Sequence, residues 1–186
     1  MNKFESSALN IKEMLTLEQR DNISVLSSLD IGKIPVAEIV LVYLGLKPST
    51  EVSIYEWNED INNIFIKLEK MGLVVFKKEI KKEKGRLIGD LVVAKDENTA
   101  KELMGCNADS EHSEYGKLMG FPQTAIDAFG NEDLLLEEDE YPPEVDKLIF
   151  NFKLSKKGYK EEVELMQRWT EVIKAVSPEL YQELFS

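Results

Sequence analysis

The residues with the greatest potential for chemistry are gathered in one stretch, from Cys106 to Gly130. This stretch holds the only cysteine, the only histidine and three of the ten glycines of the chain. His112 is a candidate general base, because imidazole is the side chain whose unperturbed pKa, about 6.5, lies nearest to neutral pH. Tyr115 or Glu114 would assist it. A small enzyme that uses His112 as its base is therefore one alternative. The plainer interpretation is a histidine that is only hydrogen-bonded within its helix.

A metal site at the same place is a weaker hypothesis. Cys106 precedes His112 by six positions, and Asp109, Glu111 and Glu114 lie nearby. That spacing is not one that zinc sites use, and one soft ligand among scattered carboxylates selects no particular metal. The chain also has no phosphate-binding glycine loop, nucleophile elbow or zinc-protease motif. We therefore expect neither a metal nor a cofactor.

Two consecutive helices are predicted to position these side chains. The first begins after Asp109 or Ser110 and ends at Gly120, and the second begins at Pro122 and ends at Gly130, because serine and aspartate start helices, glycine ends them and proline is tolerated in the first turn. Gly116 inside the first helix costs about 1 kcal/mol relative to alanine, so we expect close packing against another backbone there.

The bend between these helices predicts a ligand site. The first N–H groups of the second helix attract anions. Lys117, Gly120, Phe121 and Thr124 would then bind a small anionic ligand. The alternative is a tight helix corner in which Phe121 only fills the core.

Part of this stretch resembles a known family. Tyr115 to Pro122 reads Tyr-Gly-Lys-Leu-Met-Gly-Phe-Pro, and Ala125 to Phe129 reads Ala-Ile-Asp-Ala-Phe. This is similar to a motif of uncharacterised archaeal domains of unknown function, in which Gly-Lys-Leu-Leu-Gly-Tyr-Pro precedes paired cysteines and an aromatic residue. Gln123, Thr124 and Ala125 occupy the region of the cysteine pair, so thiol chemistry would not transfer. The resemblance implies a pocket or packing motif and no particular reaction.

Composition limits the class of protein. The net charge of -12 opposes approach to nucleic acid or anionic lipid, so nucleic acid is an unfavoured partner. We expect no membrane association, because no run approaches the roughly 20 apolar residues that a spanning helix needs. A single cysteine is typical of a reducing compartment, and the first residues lack the apolar core of a signal peptide. We therefore expect a cytoplasmic protein.

The order of apolar patterns predicts an α+β fold that is mostly helical, with a central antiparallel hairpin plus a third strand. The hairpin is predicted from Leu73 to Lys95, the third strand at 148–154, and a short edge strand at 52–55. The residues from 131 to 146 hold eight carboxylates and predict an exposed acidic linker whose leucines dock locally. We expect one domain, 1–186, or two lobes, 1–72 and 73–186.

The hairpin offers a further alternative. Lys78, Lys82, Lys84 and Arg86 lie in its basic tip, and a helix directly before such a hairpin is typical of a winged-helix nucleic-acid-binding module. A solvated hairpin that resists edge aggregation is the simpler interpretation. The favoured function is a non-catalytic module that binds a small anionic ligand or a protein partner, and oligomerisation stays open.

Overall fold

The computed structural model describes residues 3–54, 60–83, 86–150 and 152–185. The helices of these ranges are α1 (Lys3–Met14), α2 (Leu17–Ser27), α3 (Lys33–Tyr43), α4 (Asp60–Lys70), α5 (Glu97–Gly105), α6 (His112–Leu118), α7 (Gln123–Phe129), α8 (Tyr159–Val176) and α9 (Pro178–Leu184). The strands are β1 (Ser49–Ile54), β2 (Val74–Glu83) and β3 (Arg86–Ala94). Three 3₁₀ turns cover Glu132–Leu134, Glu138–Glu140 and Val145–Lys147.

The α+β class and the hairpin are confirmed. The strands form one antiparallel sheet in the order β1-β3-β2, with β3 in the centre. Leu91 to Ala94 of β3 are fully buried, because the central strand is covered by helices and flanked by strands on both edges. The turn predicted at the tip includes residues 84 and 85, which lie outside the described residues.

The prediction of the third strand at 148–154 was wrong. The third strand is β1, where the edge strand was predicted, and it pairs along its whole length with β3, from Ser49 opposite Ala94 to Ile54 opposite Gly89. In the described part of 148–154, backbone groups bond to side chains: Ile149 N–H donates to Thr170 Oγ1 at 3.2 Å and Leu154 N–H donates to the Tyr141 hydroxyl at 3.1 Å. The segment therefore has apolar alternation without a neighbouring strand.

The chain divides into two compact units. Unit one comprises Met1–Asp21, Asn107–Lys117 and Phe121–Ser186, and unit two comprises Asn22–Cys106 and Leu118–Gly120. The predicted lobe boundary between 72 and 73 lies inside unit two.

Unit one is built on its longest helix, α8. Its inner stripe of Val163, Met166, Trp169 and Ile173 is buried, as the three- and four-residue spacing requires. Helix α1 packs against α8, and Lys3 of α1 pairs with Glu164 at 2.8 Å. Unit one therefore joins early and late segments of the chain.

Unit two is the sheet with α3, α4 and α5 packed on it. Helix α3 is almost wholly apolar and buried because it forms the centre of this core. Asp96 caps α5 by accepting a hydrogen bond from Thr99 N–H at 2.9 Å, and this bond lowers the pKa of the Asp96 carboxyl. Among the described residues, no helix has both the length and the apolar character that crossing a bilayer demands.

The acidic segment from 131 to 146 is exposed at most of its carboxylates, as predicted. Backbone hydrogen bonds also tie this acidic segment to residues 154–156. Leu136 N–H donates to Leu154 O at 2.8 Å, Lys156 N–H donates to Leu134 O at 2.9 Å, and Leu135 between them is buried. The segment thus forms a fixed edge of unit one.

Candidate functional site

The packing of α6 on α7 depends on one glycine. A Cβ added at Gly116 would lie 2.7 Å from Cγ1 of Ile126, a separation that real Cβ atoms do not reach. The predicted close approach at Gly116 is therefore present, but its partner is a side chain of α7 and not a backbone. This contact holds the two helices close together next to an open pocket.

The pocket, which we call the aromatic pocket, has a volume of about 270 Å³ and lies within unit one. Its large apolar lining residues are Phe121, Ile126, Phe129 and Phe152. His112, Tyr115 and Lys153 supply polar groups at its boundary. Phe121 is half-buried and packs against Phe152 with ring centroids 5.2 Å apart, so it lines a hollow and does not fill one.

His112 faces this pocket in a half-buried position. Its ring packs against Phe129 at a centroid distance of 6.1 Å, and the backbone of Gly130 lies so close that a Cβ there would be 2.8 Å from Nε2. Within the described ranges, no residue forms a hydrogen bond with the imidazole. A general base normally has a partner that orients it. Both imidazole nitrogens are instead left for a ligand or for water.

The two predicted helpers of His112 lie in different surroundings. Tyr115 is half-buried and lines the aromatic pocket. Glu114 is exposed and pairs with Lys117 at 3.4 Å. The structure therefore brings His112 and Tyr115 to one pocket and leaves Glu114 on the outer face of α6.

The predicted ligand residues divide in the same way. Phe121 lines the aromatic pocket, whereas Lys117, Gly120 and Thr124 do not. Gly120 has a φ of 77°, and its backbone approaches Pro48 so closely that a Cβ would lie 2.8 Å from Cδ of the proline ring. Its role in the described structure is that of a turn residue.

Thr124 is engaged by a buried carboxylate. Its hydroxyl donates to Glu162 Oε1 at 2.5 Å, and Glu162, which is fully buried, also accepts from the hydroxyl and the N–H of Ser155 at 2.5 and 2.7 Å. An anion bound at Thr124 would lie next to this carboxylate. The start of α7 is therefore a poor place for an anion, and α7 itself has only seven residues.

Sequence reasoning missed Phe152 and Lys153 as pocket residues. They lie more than 20 positions after α7, and the alternation of residues 150 to 154 was assigned to a strand. It also missed Glu162, whose signal was only a carboxylate in the first turn of an amphipathic helix. Such long-range partners have no local pattern that identifies them.

The described residues contain no cluster of histidine, cysteine, aspartate and glutamate that would hold a metal ion. Cys106 is buried. Its carbonyl oxygen accepts a hydrogen bond from Lys78 Nζ at 2.8 Å.

The basic hairpin uses one of its lysines internally. Lys78 pairs with Glu51 at 2.7 Å and also donates to the carbonyl of Leu103, so it closes the end of α5. Lys82 is exposed. Lys84 and the side chain of Arg86 lie outside the described residues.

Comparison of the chain with protein-family models, with curated proteins and with solved structures finds no match.

Proposed function

We propose that this protein is a non-catalytic binding module whose ligand inserts an apolar or aromatic group into the aromatic pocket. The observation that carries the proposal is the pocket itself: three phenylalanines and an isoleucine surround a hollow of about 270 Å³. Small-molecule sites are concave, mostly apolar and supplied with a few polar groups that fix orientation. His112, Tyr115 and Lys153 would be those polar groups.

The exposure of Phe129 supports the same proposal. This ring is 55% exposed although it stands at the pocket wall. Burying a phenylalanine stabilises by about 1.5–3 kcal/mol, so a ligand that covers Phe129 gains free energy that the unliganded chain does not. A binding role needs no orienting partner for His112, which agrees with the absence of one among the described residues.

The test is binding of small aromatic probes, with indole and phenol as the first two, measured by ¹⁹F or proton NMR shifts and by thermal shift. Ala125 lines the pocket, and Ala125→Leu fills part of it, so we expect this variant to lose at least about tenfold in probe affinity. Phe129→Leu should also weaken binding. Phe185→Leu is its matched control, because Phe185 is 47% exposed at the end of α9 and does not line the pocket.

Lys117→Ala separates this pocket from the anion site predicted at the helix bend. Lys117 does not line the aromatic pocket, so the variant should bind the probes as the unaltered chain does. Equal binding by the unaltered chain and by Ala125→Leu, or loss of binding in Lys117→Ala alone, would contradict the proposal.

A second candidate function, nucleic-acid binding by unit two, is supported by the order of its elements. Helix α4 ends at Lys70, four residues before β2, and the β2–β3 hairpin is extended by β1, an arrangement that places a helix directly before a wing. The outer face of α4 exposes Asn62, Asn63 and Lys67. Asparagine and lysine are residues that read base edges and contact phosphates.

The net charge of the whole chain is only a weak objection to this candidate. Unit two holds twelve basic and thirteen acidic side chains, a net charge of -1, so -11 of the total of -12 belongs to unit one. Fluorescence anisotropy with a labelled duplex, at about 50 and 200 mM salt, tests the candidate. Binding should weaken with salt and should fall in Lys67→Ala and Lys82→Ala but not in Lys153→Ala. Absence of binding at the lower salt concentration would overturn it.

A further inference from the structure

The aromatic pocket of unit one shares lining residues with two neighbouring cavities that have acidic linings. Two adjoining hollows, of about 530 and 740 Å³, share Glu138, Asp139, Tyr141 and Lys153. We call them together the acidic groove. Phe152 lines both the aromatic pocket and the larger hollow, and Lys153 lines all three cavities. Because these two residues line both, we expect a ligand in the aromatic pocket to reach the acidic groove along the surface of unit one.

The groove has a strongly negative lining. Five carboxylate residues line it: Glu132, Glu137, Glu138, Asp139 and Asp146. Lys153 is the single basic residue among its described lining residues. The five carboxylates lie in a unit that carries a net charge of -11. The field at the groove attracts cations and opposes anions.

Several hydrogen bonds hold the acidic groove in a defined shape. The Glu138–Glu140 turn is closed by reciprocal capping, in which Glu137 N–H donates to Glu140 Oε2 at 3.2 Å. The Tyr141 hydroxyl accepts from Leu154 N–H at 3.1 Å. The edge is further tied by the backbone hydrogen bonds of Leu136 and Lys156. A preformed groove lowers the entropy that an extended ligand loses on binding.

We propose that the occupant of the aromatic pocket is one bulky apolar side chain of a basic peptide, whose lysine and arginine residues lie along the acidic groove. This inference rests on the proposed binding function and adds the class of partner. An apolar anchor in a pocket with charged neighbours along a groove is a common mode of peptide recognition, in which the anchor supplies affinity and the charges supply orientation and on-rate. The charge of the groove favours a cationic partner over the small anionic ligand expected from the sequence.

Lys153 distinguishes a basic peptide from an anionic small molecule, because its charge has opposite effects on their affinities. It stands where the pocket meets the groove, so it repels a basic peptide and attracts an anionic small molecule. Lys153→Gln should therefore raise the affinity for a basic peptide by roughly threefold and lower the affinity for an aromatic carboxylate such as indole-3-acetate by a similar factor.

The experiment uses the full chain and fluorescein-labelled seven-residue peptides, with affinity measured by fluorescence anisotropy. The probe has one central phenylalanine flanked on each side by three lysine or arginine residues. One control peptide has serine in place of phenylalanine, and a second has glutamate in place of the basic residues. We expect the probe to bind at least about tenfold more tightly than either control, and less tightly as salt increases.

Two protein variants locate the binding. Glu138→Lys with Asp139→Lys should reduce affinity for the probe at least about tenfold. Glu13→Lys with Glu18→Lys is the matched control, because it makes the same change of charge at exposed positions of unit one away from the groove, and it should reduce affinity less than about threefold. In Ala125→Leu, the phenylalanine peptide should bind no more tightly than the serine peptide. If the Ala125→Leu variant does not fold, Phe129→Ser is used in its place.

Failure of this inference differs from failure of the proposed function. If indole binds the aromatic pocket while the basic probe binds no better than the glutamate peptide, the partner class is wrong and the pocket stands. If neither indole nor any peptide responds to Ala125→Leu or Phe129→Ser, both are wrong. Binding that depends on charge but is equal for phenylalanine and serine would also overturn the inference.

Discussion

At the scale of single residues, the buried carboxylate of Glu162 carries the most consequence. It receives two hydroxyl groups and one backbone N–H, and no described residue offers it a cation. Glutamine at this position turns an NH₂ group toward one of these donors, which leaves buried polar groups unpaired. We expect Glu162→Gln to lower the free energy of unfolding by about 2 kcal/mol, measured by urea denaturation.

Glu161→Gln is the matched control for that prediction, because Glu161 is the exposed neighbour of Glu162 in α8. Its effect should stay within about 0.5 kcal/mol. Equal effects of the two substitutions would mean that the three hydrogen bonds contribute nothing specific.

Gly116 gives a second prediction at the scale of single residues. The change in stability that we expect on replacing it by alanine is opposite to the change that helix propensity predicts. Alanine in a helix is ordinarily more stable than glycine by about 1 kcal/mol. In α6 the added methyl would overlap Cγ1 of Ile126 at 2.7 Å, so we expect Gly116→Ala to destabilise by about 1–3 kcal/mol. Thermal unfolding followed by circular dichroism measures this.

Gly105→Ala provides the comparison. Gly105 ends α5, and a Cβ there would meet nothing within 4 Å. This variant should be neutral or slightly more stable. If both alanine variants were stabilised, the contact between α6 and α7 would not require a glycine.

At the scale of elements, an ion pair links Glu38 of α3 to Lys47, which lies in the connection between α3 and β1. The side chain of Lys47 is fully buried and its Nζ lies 3.1 Å from Oε1 of Glu38, whose other oxygen accepts from Thr50 at 2.6 Å. Removing one member of a buried pair costs about 3–5 kcal/mol, since the remaining charge is left uncompensated. We expect Lys47→Met to lose stability in urea denaturation, but less than this, because the Glu38 side chain is 20% exposed and keeps its hydrogen bond from Thr50.

Replacing both members tests the same argument. Glu38→Leu combined with Lys47→Met should recover much of the loss, because no lone charge is left. Lys101→Met is the exposed control: it removes a pair with Glu97 in which both side chains are about two-thirds exposed, and should cost at most about 0.5 kcal/mol. A double variant no more stable than Lys47→Met would contradict the explanation.

The elements also indicate what sequence can predict. The hairpin was predicted because its period of 2 is a local property of the sequence. The segment 148–154 has the same alternation as a strand, yet the N–H groups of Ile149 and Leu154 donate to Thr170 and Tyr141, side chains that lie 21 and 13 positions away. This segment is a loop because its backbone bonds to side chains that are distant in the sequence, and a local pattern cannot reveal such partners. For the same reason, His112 and Tyr115 were found from the sequence, but Phe152 and Lys153 were not.

At the scale of the whole molecule, charge is distributed unequally. Because unit one carries -11, its acidic groove is subject to a self-repulsion that unit two does not have. We expect Glu138→Gln with Asp139→Asn to raise the free energy of unfolding by up to about 0.5 kcal/mol and to reduce the increase of Tm with added salt. Calorimetry at several salt concentrations would measure both.

The comparison for this prediction is a pair of acidic residues of unit two. Glu69→Gln with Glu102→Gln removes the same charge from exposed positions where acidic and basic side chains are nearly balanced. It should give no gain in stability. A gain of equal size would mean that the charge of the chain acts as a whole and not unit by unit.

The packing of α1 against α8 has a consequence for how the chain is made. Residues 22–106 of unit two are contiguous, so they can fold on the ribosome as soon as they emerge. Helix α1 is synthesised before these residues, but its partner, α8, is synthesised after them. Until α8 emerges, α1 lacks the helix against which it packs, so we expect its apolar side, with Ala8 at its centre, to be accessible to chaperones.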